Sequence, residues 1–408
     1  MRRLLRFILL KPVLWAVNKF SSKPDRQRIF TALSALVESI QKDPGKKGLV
    51  IPFEEHTGKF IIFSDQHKGT RNGADDFKQA ETNYLAALNY YSSHDFCFIN
   101  LGDSEELWEN SIWEVKKKNK ATFEAEKKFL EQGKYVKVFG NHDLYWDTSI
   151  WSYWHLKSMF GEKVKVYEGV VLKSLVFCQE SGVNSGESGD KSRESGDKSR
   201  ESGVNSVESG DKSRESGDNT PNSELTIFLT HGHQGDAQSD GNWFSKFFVA
   251  YIWAPLQSML RINPNTPAYD AEKKTLHNHI MYEWIAEQKN MLLVTGHTHQ
   301  PVFQSLTHLE RLYKQLQWAE QEKDGTKINE VKTEILKREK EFTAVSLDYM
   351  TMKPSYFNTG CCCFNDGDIT GIEIAEGNIR LIKWKLTGGR SGREVLEETV
   401  LCKLVAGL

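Results

Sequence analysis

Short apolar runs that end in polar residues set the rhythm of this chain. "KFIIFSD" (59–65), "DFCFINLGD" (95–103) and "YVKVFGN" (135–141) are β-branched or aromatic and read as buried strands. Between the first two, Phe77, Ala80, Tyr84, Leu88 and Tyr91 recur at helical intervals. A charged helical region follows the second run through about residue 132. Strand, helix, strand, helix, strand predicts an α/β domain, in which ligands gather at the carboxyl ends of strands. Further on, "KVKVYEGVVLKSLVFCQE" predicts a strand or hairpin, and "ELTIFLTHGH" another strand. A helix over 268–288 leads to the strand "NMLLVTGHTHQPVF". Residues 305–343 are charged and helical but broken by "KDGTK", which predicts a helical hairpin. The last sixty residues carry short strands with turns at "NDGD" and "EGN".

Three stretches depart from this rhythm. Residues 180–223 repeat a heptad around E-S-G-D-K-S-R, but with glycine in each unit and no apolar seam. Such a segment cannot offset its ordering entropy, so a disordered insertion in a surface loop is expected. Residues 241–262, "GNWFSKFFVAYIWAPLQSMLRI", are densely aromatic; with the following helix they predict a helical lid over 241–288. Core-packing helices without a ligand are the competing reading. The first twenty residues hold Arg2, Arg3, Arg6, Lys11 and Lys19 and no acid, beside Leu4, Leu5, Ile8, Leu9, Trp15 and Phe20. Their apolar run is too short to span a bilayer and no cleavage site follows. A basic amphipathic helix on an anionic membrane surface fits, as does a helix packed on the domain with snorkelling cations. The expected organisation is therefore a basic arm over 1–50 and one domain over 51–408.

Composition narrows the function. The 408 residues, 39% hydrophobic, suffice for a large core, and a net charge of −2 gives no basic field for nucleic acid. None of the six cysteines forms a C-x-x-C pair, and a chain of this size needs no disulfide staple, so reduced thiols and a cytoplasmic setting, peripheral on a membrane's inner face if the arm binds there, are expected. Cys361, Cys362 and Cys363 lie in a strand-like stretch; neighbours there point to opposite faces, so they are read as small apolar residues.

The polar strand tips carry the chemistry. Asp65 and His67 stand in "SDQH", Asp103 in "LGDSEE", Asn141 and His142 in "FGNHD", His231 and His233 in "THGHQGD", and His297 and His299 in "TGHTH". His56, His94, His155, His277, His279 and His308 are read as ordinary core or surface residues. Carboxylates, imidazoles and one carboxamide suit divalent metals such as Mn, Fe or Zn. Seven ligands are too many for one ion and fit two that share a carboxylate.

The order D-x-H, G-D-x-x-E, G-N-H-D, H-G-H and G-H-x-H over 59–303 resembles the calcineurin-like metallophosphoesterase superfamily. The resemblance implies a sandwich of two β-sheets flanked by helices, with a dinuclear centre at the strand ends. It implies that Asp65, His67 and His299 hold one metal, Asp103 bridges, and Asn141, His231 and His297 complete the other. A hydroxide bridging the metals would attack phosphorus. His142 would contact the phosphate and assist the leaving oxygen, and Glu106 would orient His142. His233 is expected beyond the direct ligands or against substrate.

Two features point to a lipid-linked or pyrophosphate substrate. The aromatic block between H-G-H and G-H-x-H, and "GDSEELWE", are similar to the lid and the G-D-x-x-E-x-W stretch of UDP-diacylglucosamine hydrolases. Those enzymes carry Arg where this chain has His142. A serine/threonine phosphoprotein phosphatase is the alternative activity, although G-D-x-x-x-R-G is absent. A non-catalytic scaffold docking through 305–343 is the alternative outside enzymes.

Overall fold

Phe60, Ile61, Ile62 and Phe63 form a four-residue strand, β2 (Phe60–Phe63), buried on both faces, and this double burial organises the molecule. Phe60 and Ile62 join a core cluster with residues of a second sheet, whereas Ile61 and Phe63 pack under helices. This is the alternation that a pleated strand imposes. The computed structural model describes residues 24–72, 75–108, 110–147, 149–176, 223–235, 271–338 and 352–408.

Strands β3 (Cys97–Leu101), β4 (Tyr135–Val138) and β5 (Val166–Tyr167) follow β2 in parallel. On its other side β2 pairs antiparallel with β12 (Ile369–Ala375), and β13 (Asn378–Thr387) and β14 (Arg390–Val400) complete this sheet. The other sheet runs β1 (Gly48–Pro52), β6 (Gly169–Val176), β7 (Ser223–Thr230), β8 (Met291–Thr295), β11 (Tyr356–Asn358), β9 (Val302–Phe303) and β10 (Leu306–Thr307). Both sheets mix parallel and antiparallel neighbours. Ile62, Ile99 and Ile372 of one sheet share a buried cluster with Val170, Leu229 and Leu292 of the other.

Helices cover the outer faces. α1 (Arg26–Lys42) starts at Asp25, whose carboxylate accepts from the Arg28 amide, and it buries Ile29, Leu33, Leu36 and Ile40. These meet Phe228 of β7 and Met281 and Trp284 of α6 (Ala271–Ala286). α2 (Phe77–Ser93) and α4 (Lys120–Glu131) lie against the other sheet, where Tyr84, Leu88 and Phe129 pack on Phe63 and Phe98. Between them comes α3 (Ile112–Lys118); α5 (Ser149–Phe160) follows β4. α7 (His308–Glu322) and α8 (Gly325–Arg338) pack as the predicted hairpin through Leu309, Leu312, Val331 and Ile335. A capping box of Thr307 and Glu310 starts α7, and Lys323, left-handed, ends it. α9 (Leu401–Ala406) closes the chain.

Four sequence expectations are refined. "KVKVYEGVVLKSLVFCQE" is not a hairpin: β5 and β6 join different sheets, because Glu168 carries the chain from one to the other. Residues 26–42 and 48–50, grouped by sequence with the basic arm, are built into the fold as α1 and the start of β1, while residues 1–20 and the blocks 180–222 and 241–262 lie outside the described residues. The closing strands are not all short: β13 and β14 make a hairpin of 10 and 11 residues. Cys402 is disulfide-bonded, because chain size governs the need for a staple, not whether two thiols come within reach. No helix among the described residues is long and apolar enough to cross a membrane.

Candidate metal centre

Every strand that carries a candidate motif ends at the same place. β2 delivers Asp65 and His67, β3 delivers Asp103, and β4 delivers Asn141 and His142; β7 and β8 bring His231 and His297–His299 from the other sheet. The loops are stitched together by backbone. Asp65 N donates to Gly102 O at 3.0 Å, His67 N to Asp103 O at 2.9 Å, and Gly296 N to His231 O at 3.0 Å. Side chains continue the stitching: His142 N donates to Asp103 Oδ1 at 2.8 Å and His297 N to Asp65 Oδ2 at 3.0 Å.

This convergence strains the backbone. Asp65, His67, Asp103, His297 and His299 have φ of 54°, 48°, 50°, 68° and 55°. That left-handed region costs a non-glycine residue about 1–3 kcal/mol and clusters at functional sites. The motif glycines permit close approach. A Cβ on Gly102, itself at φ 93°, would sit 2.7 Å from His231 Nδ1, and one on Gly140 would collide with Asp103 Oδ1.

The side chains form two adjoining groups. In the first, His299 Nε2 lies 3.1 Å from Asp65 Oδ1 and 3.1 Å from His67 Nε2, and His67 Nε2 is 3.8 Å from Asp65 Oδ1. In the second, His231 Nε2 lies 3.1 Å from Asp103 Oδ2, and the ligand atoms of Asp103, His231 and His297 all fall within 4.8 Å of one another. Asp103 Oδ2 also stands 3.8 Å from His67 Nε2, so it faces both groups. His142 groups with His67 and Asp103, and Glu106 Oε2 accepts from Nδ1 of both histidines, at 2.6 Å for His142 and 3.0 Å for His67.

The imidazoles around the two carboxylates hold them ionised. Burial would raise the Asp65 carboxyl, but the charges of His299 and His231 and hydrogen bonds from His299 and His67 hold it well below the usual range. Asp103 is likewise lowered, by His231 and His142 against its burial. Glu106 falls to about 2, because the pull of His142 and His67 exceeds the cost of burial. In return, His231 and His299 overcome burial and rise to about 9, the first through Asp103 and Asp65, the second chiefly through Asp65. His297 goes the other way: burial and the charges of His277 and His231 push it well below its ordinary value.

Lone pairs left over show what the site can hold. Asn141 Oδ1, His142 Nε2 and His297 Nε2 are buried without a hydrogen-bond partner, and Asp65 Oδ1 and His231 Nε2 meet only other candidate ligands. A polar atom buried without a partner costs about 1–3 kcal/mol, so these atoms need an explanation. All five are of the types that ligate divalent metals. His231 is turned so that Nδ1 meets Leu101 O at 2.9 Å, leaving Nε2 toward Asp103, the arrangement usual for a metal-binding imidazole. The donor set therefore fits divalent cations.

Sequence reasoning passed over several neighbours. Trp108 stacks on His142, with ring centres 4.5 Å apart and planes at 15°. His277 packs 5.1 Å from the His297 ring and its Nε2 meets Gly232 O at 2.9 Å, so it belongs beside the site. His233, which the sequence did single out as a residue beyond the direct ligands or against substrate, is buried 5.5 Å from the His231 ring, and burial together with the His231 charge lowers it to about 3. Cys363 reaches His299, with Sγ 3.8 Å from Nδ1. Beneath Asp103 lies a buried ionic network of Lys68, Glu105, Glu126 and Lys137. One signal was available for the cysteines: "YFNTG" ends like "VTG" of the neighbouring strand, and β11 runs parallel to β8.

No family model matches this chain, and no curated protein matches it. Among solved structures, a dimetal phosphatase from Danio rerio is similar at 8% identity and a TM-score of 0.32, over 85% of this chain and 99% of that one. So distant a likeness carries no argument, and the chemistry rests on the side chains described above.

Proposed function

We propose that this chain is a dinuclear-metal-dependent phosphoester hydrolase of calcineurin-like metallophosphoesterase architecture. The observation that carries the reading is that Asp65, Asn141, His231 and His297 each keep a buried ligand atom without a conventional hydrogen bond, beside a second carboxylate, Asp103. In this reading Asp65, His67 and His299 hold one divalent cation, Asn141, His231 and His297 the other, and Asp103 is shared. Manganese leads, with iron and zinc as the other fits to this mixed oxygen and nitrogen set. Such a pair of cations, when bound, supplies Lewis acidity toward a phosphoryl group and an activated water.

The remaining residues bind, orient and move protons. His142 Nε2, buried and without a partner, is the donor available to a substrate oxygen. Glu106 fixes which nitrogen that is, because its carboxylate accepts the hydrogen bond from Nδ1. It thereby orients the imidazole and stabilises positive charge on it, and a positioned acid of this kind contributes about 100–10,000-fold. Glu106 performs the same service for His67, so one carboxylate aligns both a ligand and the acid. Trp108 covers one face of the His142 ring and restricts it to a single orientation.

A lipid-linked or pyrophosphate substrate is the class this reading prefers. Its support is the aromatic block 241–262 and the basic arm 1–20, both outside the described residues. The phosphoprotein-phosphatase and scaffold readings predict different assay results. The test is metal analysis of the purified full-length chain, together with turnover of chromogenic phosphate mono- and diesters and lipid pyrophosphates in Mn, Fe or Zn. About two equivalents of metal per chain, the stoichiometry of a two-metal site, and loss of turnover in Asp103→Ala and His142→Ala are expected. A chain that takes up no metal and is inert with every substrate is a scaffold, and undiminished turnover by Asp103→Ala refutes the scheme.

A further inference from the structure

Three histidines of the candidate centre turn Nδ1 to an oxygen acceptor. His67 and His142 direct Nδ1 to Glu106, and His231 directs it to Leu101 O. For His299, Nε2 faces Asp65 and His67, and the nitrogen on the far side, Nδ1, meets the sulfur of Cys363 at 3.8 Å. We propose that Cys363 is the positioning residue of His299: its Sγ accepts the Nδ1 proton, fixes the tautomer and aims Nε2 at the metal held with Asp65 and His67. The assignment rests on the metal reading above.

The local fold supports a dedicated placement. Gly360, at φ 75°, ends the segment after β11, and the three cysteines then run buried through a loop rather than a strand. Cys362 N donates to Asp65 O at 3.1 Å and Thr370 N to Cys361 O at 3.0 Å, so the loop is tied directly to a candidate ligand. Side chains alternate along it. Cys362 joins the apolar cluster with Phe63 and Tyr84, as a small hydrophobe should. Cys361 and Cys363 turn the opposite way, toward His299: Cys361 is hydrogen-bonded to Cys363 and also to the His299 ring, so it backs Cys363 from the same side. The expectation that all three are merely apolar therefore holds for Cys362 and fails for its neighbours.

Sulfur is a weak acceptor, and its length of reach suits an imidazole that must stay 3.1 Å from a carboxylate on its other side. An outer partner of this kind typically contributes 10–100-fold in metal affinity. Cobalt(II) titration of the full-length protein, followed by absorption spectroscopy and by competition with a chelator, tests the assignment. In Cys363→Ala, one of the two cobalt equivalents should weaken by about 10–100-fold while the other is unchanged. Cys363→Ser, which restores an acceptor, should recover most of the loss, and Cys362→Ala should leave both affinities as they were. The wild type should show no thiolate-to-cobalt charge-transfer band in the near ultraviolet. Such a band, lost in Cys363→Ala, would make Cys363 a direct ligand and overturn the assignment. Equal affinities in wild type and Cys363→Ala overturn it too, leaving the metal reading intact. A wild type that binds no cobalt overturns both.

Discussion

Glu105 gives the sharpest stability prediction, because it is the ion-pair partner of Lys137, and shares Lys68 with Glu126, in a place that water does not reach. Lys137 Nζ stands 2.9 Å and 3.2 Å from its two oxygens and Lys68 Nζ 3.4 Å from one of them. Trp146 Nε1 and Ser104 Oγ each donate to it at 2.8 Å. The side chains of Glu105, Lys68 and Lys137 are all fully buried. Glu105→Ala leaves Lys137 facing a void, and removing one partner of a buried pair costs about 3–5 kcal/mol. A second route gives a similar figure. The Glu105 carboxyl is lowered from 4.5 to about 2, since the charges of Lys137 and Lys68 overcome its burial. A depression of this size corresponds to a few kcal/mol, the same order as the cost of breaking the pair. Because the folded value is depressed, that contribution is complete above pH 4.5 and drains away as pH falls toward 2. Asp143 works in the opposite sense. Burial and the charges of Glu105 and Asp103 hold it up to about 6 against the pull of Lys137, so its ionisation destabilises as pH rises from 3.8 to about 6. The difference between wild type and variant reports Glu105 together with the release of Asp143, whose carboxyl the Glu105 charge helps to hold up. Urea unfolding followed by far-ultraviolet circular dichroism near neutral pH should show the full gap, and near pH 3 a smaller one. Glu105→Met with Lys137→Met should lose less than Glu105→Ala, because swapping a whole buried pair for apolar groups is often close to neutral. A Glu105→Ala protein within about 1 kcal/mol of wild type at neutral pH would refute the claim that this network is desolvated and coupled.

Three further outcomes follow from single contacts. Gly140→Ala should abolish metal uptake, measured by elemental analysis, because the new methyl would collide with Asp103 Oδ1 and lie 2.6 Å from the Asp103 amide nitrogen, forcing the β3 and β4 tips apart. Trp108→Ala removes a ring stacked on His142, worth about 0.5–1.5 kcal/mol, and should lower kcat/KM about 2–10-fold with metal content unchanged; loss of metal would show that Trp108 does more than pack. Thr307→Ala breaks the capping box of α7 and should cost about 1 kcal/mol, seen as faster amide exchange in the α7–α8 hairpin with hydrolysis unaltered.

How much of this could be read from residues alone depends on whether the information is local. The strands β2, β3, β4, β7 and β8 were legible, since each is an apolar run that stops at a costly polar tip. The order of those tips was enough to group Asp65, His67, Asp103, Asn141, His142, His231, His297 and His299. The sharing of Glu106 by two histidines was half legible: the G-D-x-x-E spacing pointed to His142, but the contact with His67 needs two strands in register. The split of β5 and β6 between sheets was not legible, because a run of alternating valines reads the same whether or not the chain crosses over at Glu168.

Backbone conformation explains why the remaining site residues stayed hidden. Asp and His are not turn formers of the glycine kind, and nothing in "SDQH" or "TGHTH" announces that Asp65, His67, His297 and His299 sit at positive φ. That conformation matters because ordinary extended backbone would send residues i and i+2 onward along one face of a continuing strand. Turned left-handed at each tip, the chain doubles back and lets His67 and His299, from different sheets, bring their Nε2 atoms to 3.1 Å. The strain is local and the compensation is distant: the amide of His297 is held by Asp65, and that of His142 by Asp103. Each carboxylate thus holds the loop of another strand with one oxygen, Asp65 across to the other sheet and Asp103 to β4, and turns the other toward an imidazole: Asp65 Oδ1 to His299 and Asp103 Oδ2 to His231. A substitution that keeps the charge but loses this two-sided reach, Asp103→Glu, should therefore disorder the β4 tip as well as the centre. Faster exchange of the His142 amide, whose acceptor is Asp103 Oδ1, would register that coupling independently of any bound metal.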